Sequence, residues 1–114
     1  MRLDNTDGVK LLLEQYHAIK ERRYLGDPDA FAILEDLHTA IRLADLTPTQ
    51  QRSLDLVFIE DLSQVEAGLV MGRSRQKTYC SVKASLIKIA AVFEGWANAG
   101  EGYSLEDVEV YGTI

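Results

Sequence analysis

Five cationic side chains fall in one stretch of this sequence that holds no carboxylate: Arg73, Arg75, Lys77, Lys83 and Lys88, within residues 72–92. Gln76, Tyr79 and Cys80 are interleaved with them. Arginine can give guanine two hydrogen bonds and glutamine can give adenine two, while lysine offers phosphate a point charge. The chemistry these residue types support is recognition of a polyanion. The plain alternative is a solvated helix face that binds nothing. Position separates the two readings. Arg75 and Lys77 fall in the first turn of an expected helix, where the macrodipole is positive and each cation costs roughly a few tenths of a kcal/mol. No neighbouring carboxylate in sequence offsets them, whereas a phosphate backbone would.

The rest of the chain is acidic. It has 114 residues, 12 basic and 18 acidic, for a formal charge of −6. That balance argues against a protein that coats nucleic acid indiscriminately, and a local basic face on an acidic body suits a site-selective binder. The last fifteen residues carry Glu101, Glu106, Asp107 and Glu109 and no base. An apolar content of 46% at this length is enough for one core and leaves little room for two.

Other chemistries find little support. Cys80 is the only cysteine, so no internal disulfide can form, and a reducing cytoplasm is the expected setting. Cys80 lies near Lys77 and Lys83, which would favour its thiolate, but a small residue close to DNA is the simpler reading. His17 and His38 lack partners at metal-ligand spacing and read as surface histidines, so no metal or cofactor is expected. No phosphate loop and no Ser/His/Asp or Cys/His pairing is suggested by spacing, so an enzyme is not expected. No apolar run reaches membrane-spanning length.

The elements that must position the basic stretch are all helical. Asp7 and Gly8 cap a first helix whose apolar face is Val9, Leu12, Leu13, Tyr16 and Ile19, ending at Gly26. Asp27 and Pro28 start a second, with Phe31, Leu34, Leu37, Ile41 and Ala44 as its stripe, closed by Leu46. Thr47 and Gln50 form a capping box with Pro48 at the first helical position, and Leu54, Val57 and Phe58 follow toward the core. Glu60 and Asp61 interrupt the pattern. Ser63 and Glu66 form a second capping box, opening a short helix through Val65, Leu69 and Val70. Gly72 stops it, and Ala67 and Gly68 are small enough for a second helix to come close. Ser74 caps that helix, which runs to about Ala97 with Thr78, Val82, Leu86, Ile89 and Phe93 buried. Its opposite side presents Ser74, Arg75, Gln76, Tyr79, Cys80 and Lys83. Trp96 reads as core filler at the far end. The tail could form one helical turn from Ser104, and Val108 to Tyr111 alternate like a strand without a partner. The spacing thus predicts an all-α fold of about five helices. Residues 1–45 form an N-terminal helical pair for packing or dimerisation, 46–98 a helix-turn-helix, and 99–114 an acidic tail or docking arm.

Within 46–98 the residues Leu46-Thr47, Gln51, Leu54, Leu62-Ser63-Gln64, Glu66, Ala67, Gly72, Ser74, Leu86 and Ile89 resemble region 4 of sigma-70-type transcription factors, the part that binds the −35 promoter element. The phrases at residues 43–51, 60–68, 88–97 and 100–103, with the two helices ahead of them, are similar to small sigma-like proteins of phages and prophages of Gram-positive bacteria. The resemblance implies an all-helical DNA-binding regulator of phage or prophage transcription. Two positions depart from the family: Arg73 and Thr78 stand where it places apolar residues. The basic, aromatic-rich promoter-melting segment of a complete sigma factor is absent, so an activator, a repressor or a polymerase-bound accessory factor is implied over a full sigma factor.

The expected partner is double-stranded DNA, with Arg75, Gln76 and Tyr79 toward bases and Ser74, Lys77 and Lys83 toward phosphate. A homodimer or higher homo-oligomer is expected, because one recognition helix buries little surface. Two other readings stay open: an accessory protein that holds RNA polymerase or a sigma factor without a DNA site of its own, and the DNA-recognition subunit of a phage packaging complex.

Overall fold

The computed structural model describes residues 5–98; the expectations for residues 1–4 and for the tail at 99–114 lie outside the described residues. The architecture is all-α. Six α-helices are present: α1 Thr6–Glu14, α2 Tyr16–Tyr24, α3 Pro28–Leu43, α4 Pro48–Leu54, α5 Gln64–Met71 and α6 Arg75–Asn98. A π-helical turn, Asp55–Ile59, continues α4. No strand occurs among the described residues.

The helix starts are written in side chains. Asp27 Oδ1 accepts the Asp29 and Ala30 amides at 3.0 and 3.4 Å. Thr47 and Gln50 exchange reciprocal bonds at 3.1 and 3.2 Å, and Ser63 and Glu66 do so at 3.0 and 3.1 Å. Each pair satisfies amides that the first helical turn leaves without partners.

A single core joins all of this. It is one cluster running from Val9, Leu12 and Leu13 through Ile19, Leu34, Leu37, Leu54 and Phe58 to Val82, Leu86, Ile89 and Phe93. The N-terminal helices and the segment after residue 46 therefore share one interior. The 24-residue α6 is its axis, packing against α1, α3, α4 and α5. Trp96 is half-buried at the far end and meets Phe93 edge-on at 5.2 Å.

Three expectations need correction, and α5 adds a feature of its own. The first cap is Asn5, whose Oδ1 accepts the Gly8 amide at 2.8 Å, and Asp7 and Gly8 lie inside the helix. The single N-terminal helix is two, broken at Gln15; α1 packs on α6 and α2 on α3, so the chain changes direction to serve both. The α3 stripe keeps Leu34 and Leu37 buried and Ile41 and Ala44 partly buried against the core, with Ala30, Ile33 and Ala40 added, but Phe31 is 50% exposed with the Arg23 guanidinium 4.7 Å from its ring centroid. On α5 the buried residues are Ala67 and Gly68, while Val65, Leu69 and Val70 are exposed. This helix meets α6 through its two smallest side chains, so its larger apolar groups face outward.

Candidate nucleic-acid interface

The corner between α5 and α6 decides what α6 can present. Gly72 adopts the left-handed conformation, φ 68° and ψ 34°, where side chains with a Cβ are strained. The Arg73 amide donates to Gly68 O at 2.8 Å and the Gly72 amide to Leu69 O at 3.3 Å, closing the end of α5 with paired bonds. Gly68 is required for the close approach: a Cβ there would lie 2.7 Å from Arg73 O and 3.0 Å from Thr78 Oγ1.

On the far side of the turn Ser74 Oγ accepts the Lys77 amide at 3.1 Å, capping α6. Fully buried Thr78 donates its hydroxyl to Ser74 O at 2.9 Å. A polar residue is thus accommodated at one of the two positions that depart from the sigma pattern. At the other, Arg73 is half-buried and its Nε finds no hydrogen-bond partner.

All six candidate contact residues, Ser74, Arg75, Gln76, Lys77, Tyr79 and Lys83, are exposed, as is Cys80. Four of them are drawn together. Ser74, Arg75, Gln76 and Tyr79 line one cleft of about 510 Å³, with Gln64 from the start of α5 as the fifth residue. Sequence reasoning misses Gln64 because it lies well ahead of Ser74 in the chain; the signal is its place at the first position of a capped helix that the corner folds onto α6. Lys77 and Lys83 stand outside this cleft, and Lys83 Nζ donates to Thr6 Oγ1 at 3.4 Å.

The run of five cations is not one face. Lys88 Nζ donates to Gln50 Oε1 at 2.8 Å, which holds α6 against α4, and the Ser85 hydroxyl shares its proton between Ser81 O at 2.8 Å and Gln50 O at 3.2 Å. The outward cations are Arg75, Lys77 and Lys83. Among the described residues the carboxylate pairs are Lys10–Glu14, Arg22–Asp27 and Arg23–Glu35, and none involves those three. The first turn of α6 contains no acidic residue. The first turn of α5 does contain one, and it is engaged. Glu66 accepts the Ser63 amide, and that bond, with the Ser63 hydroxyl, holds its carboxyl below the usual range.

Both histidines lie at the surface, His38 Nε2 3.3 Å from Tyr16 Oη and His17 Nε2 2.7 Å from Ile59 O. No group of three or more metal-ligating side chains occurs among the described residues. No helix among them is long and apolar enough to cross a membrane. In comparisons with known proteins, the chain matches no family model, no curated protein and no solved structure.

Proposed function

We propose that this chain is a sequence-specific DNA-binding transcriptional regulator whose α5, turn and α6 form a sigma region 4-like helix-turn-helix, encoded by a phage or prophage and acting in the cytoplasm. The observation that carries this is the cleft at the start of α6. It gathers Arg75, Gln76 and Tyr79 with two further polar side chains, and none of its lining residues is acidic. Arg75 and Gln76 are the two types that read base edges with paired hydrogen bonds, and they stand at the helix end that enters a major groove first. Tyr79 would meet a base through its ring. Ser74, Lys77 and Lys83 would hold phosphates and set the register. One helix of this size buries little surface, so binding as a homodimer or larger oligomer is part of the proposal. Tyr24, Leu25 and Phe31, exposed together around the α2–α3 turn, offer apolar surface for it.

The test is a gel shift at graded salt. Arg75→Ala should lower affinity and relax sequence choice, whereas Lys83→Ala should weaken all duplexes alike and flatten the salt dependence. Wild-type behaviour from both variants contradicts the assignment of this face.

A second reading has its own observation. Val65, Leu69 and Val70 leave an apolar strip of α5 exposed beside the corner, which suits a protein contact with RNA polymerase or a sigma factor. Capture of polymerase core that survives Arg75→Glu and Lys77→Glu would favour this accessory role.

A further inference from the structure

Away from α5 and α6, two departures from regular helix border one groove. The first is the break at Gln15, which brings Leu13 and Tyr16 to its edge; the second is the π-helical turn, which brings Asp55 and Ile59. A π-turn inside an α-helix is uncommon and is often found where a protein binds something. The groove between them has a volume of about 470 Å³, inside the range of roughly 300–1,000 Å³ common for small-molecule sites.

Its lining is divided. Ile41 and Ile59 supply apolar surface, over a floor of the buried core residues Leu13 and Leu37. Tyr16 and His38, joined at 3.3 Å, form a polar lip. Asp55 and Glu60 also line the groove, with Gln51 Nε2 donating to Asp55 Oδ1 at 2.9 Å. No lysine or arginine lines the groove, and no cation pairs with Asp55 or Glu60 among the described residues. Desolvation by burial pushes the Asp55 carboxyl up; the Gln51 bond opposes this and the charge of Glu60 adds to it. A carboxylate in that position gains from a bound cation more than a fully solvated one does.

We infer that this groove is a binding site for a small organic cation with an apolar body, its amine or amidine on Asp55 and Glu60 and its hydrocarbon against Ile41 and Ile59. The site is independent of the DNA reading, since none of its lining residues belongs to α5 or α6.

The test uses benzamidine, benzyl alcohol and benzoate as probes of equal size and different charge. Each is titrated into the full-length protein while amide ¹H–¹⁵N correlation spectra are followed. Benzamidine should give saturable shifts centred on Leu13, Tyr16, Leu37, His38 and Asp55. Benzyl alcohol should bind more weakly and benzoate not at all. Asp55→Asn should weaken benzamidine about tenfold, the effect of one charge-assisted hydrogen bond. Glu60→Gln changes an exposed residue and should weaken it less, which keeps the test valid should Asp55→Asn fail to fold. No saturable shift with benzamidine overturns the inference. So does an equal response to benzoate, or an undiminished response in the folded variants.

Discussion

Two helix-to-helix junctions in this molecule are built in opposite ways. Between α5 and α6 the chain turns on Gly72, closes the end of α5 with two backbone bonds and opens α6 with the Ser74 cap. Between α1 and α2 it turns at Gln15 with no glycine or proline and no side-chain cap, and Gln15 Oε1 is buried without a hydrogen-bond partner. The first junction is specified by its own residues. The second exists because the flanking helices have different partners, α6 for one and α3 for the other. The proposed DNA contact at this corner would benefit from local definition, because its geometry then survives motion elsewhere. The bend at Gln15 is defined by the packing of its two helices instead.

Four substitutions would break or sharpen that contrast. Gly68→Ala has the largest effect, because its Cβ would sit 2.7 Å from a backbone oxygen that cannot move without opening the corner. A loss of about 1–3 kcal/mol is expected, the usual cost of overpacking. Thermal unfolding would register it as a Tm lowered by several degrees. Next, Ser74→Ala removes the acceptor for the Lys77 amide and should cost about 1 kcal/mol, read by denaturant titration. At the other junction Gln15→Met should be nearly neutral or mildly stabilising, within about 1 kcal/mol, because it replaces an unpartnered buried oxygen by a group that wants no partner. A large loss there would mean that the α1–α2 bend is locally specified after all.

The smallest effect concerns pH. Glu66 has a folded pKa below its ordinary value, so its contribution is complete above the unfolded carboxyl's pKa and is lost as pH falls through the folded one. The Ser63 amide should therefore lose protection, relative to its intrinsic exchange rate at each pH, on acidification of the wild type. In Glu66→Gln, which can still form the box, this acid sensitivity should disappear. Asp55 is shifted upward, so its protonation on acidification acts with the opposite sign and relieves an unfavourable buried charge.

The features legible in sequence are those carried by neighbours in the chain. Both capping boxes, the Asp27 cap ahead of Pro28, the stop at Gly72, the Ser74 cap and the buried series Thr78, Val82, Leu86, Ile89 and Phe93 each depend on residues within a few positions. The exposed side of α6 follows from that series. What sequence spacing does not reveal depends on partners far along the chain. Lys88 looks like one more cation until Gln50, 38 residues earlier, is seen to hold it. The small pair Ala67 and Gly68 is legible as the side of α5 that α6 approaches, but the exposure of Val65, Leu69 and Val70 is not. The break at Gln15 and the π-turn at Asp55–Ile59 likewise have no local signal to mark them.

The central proposal is that the start of α6 reads a DNA sequence, and the most direct measurement is selection of bound duplexes from a random pool by the purified protein. A single enriched motif is expected, with half-sites about 10 base pairs apart if a dimer binds. In the pool selected by Arg75→Ala, preference should be lost at one base-pair position in each half-site while the rest of the motif remains. A pool that stays random under the wild-type protein, or a motif unchanged by Arg75→Ala and Gln76→Ala together, would contradict the account.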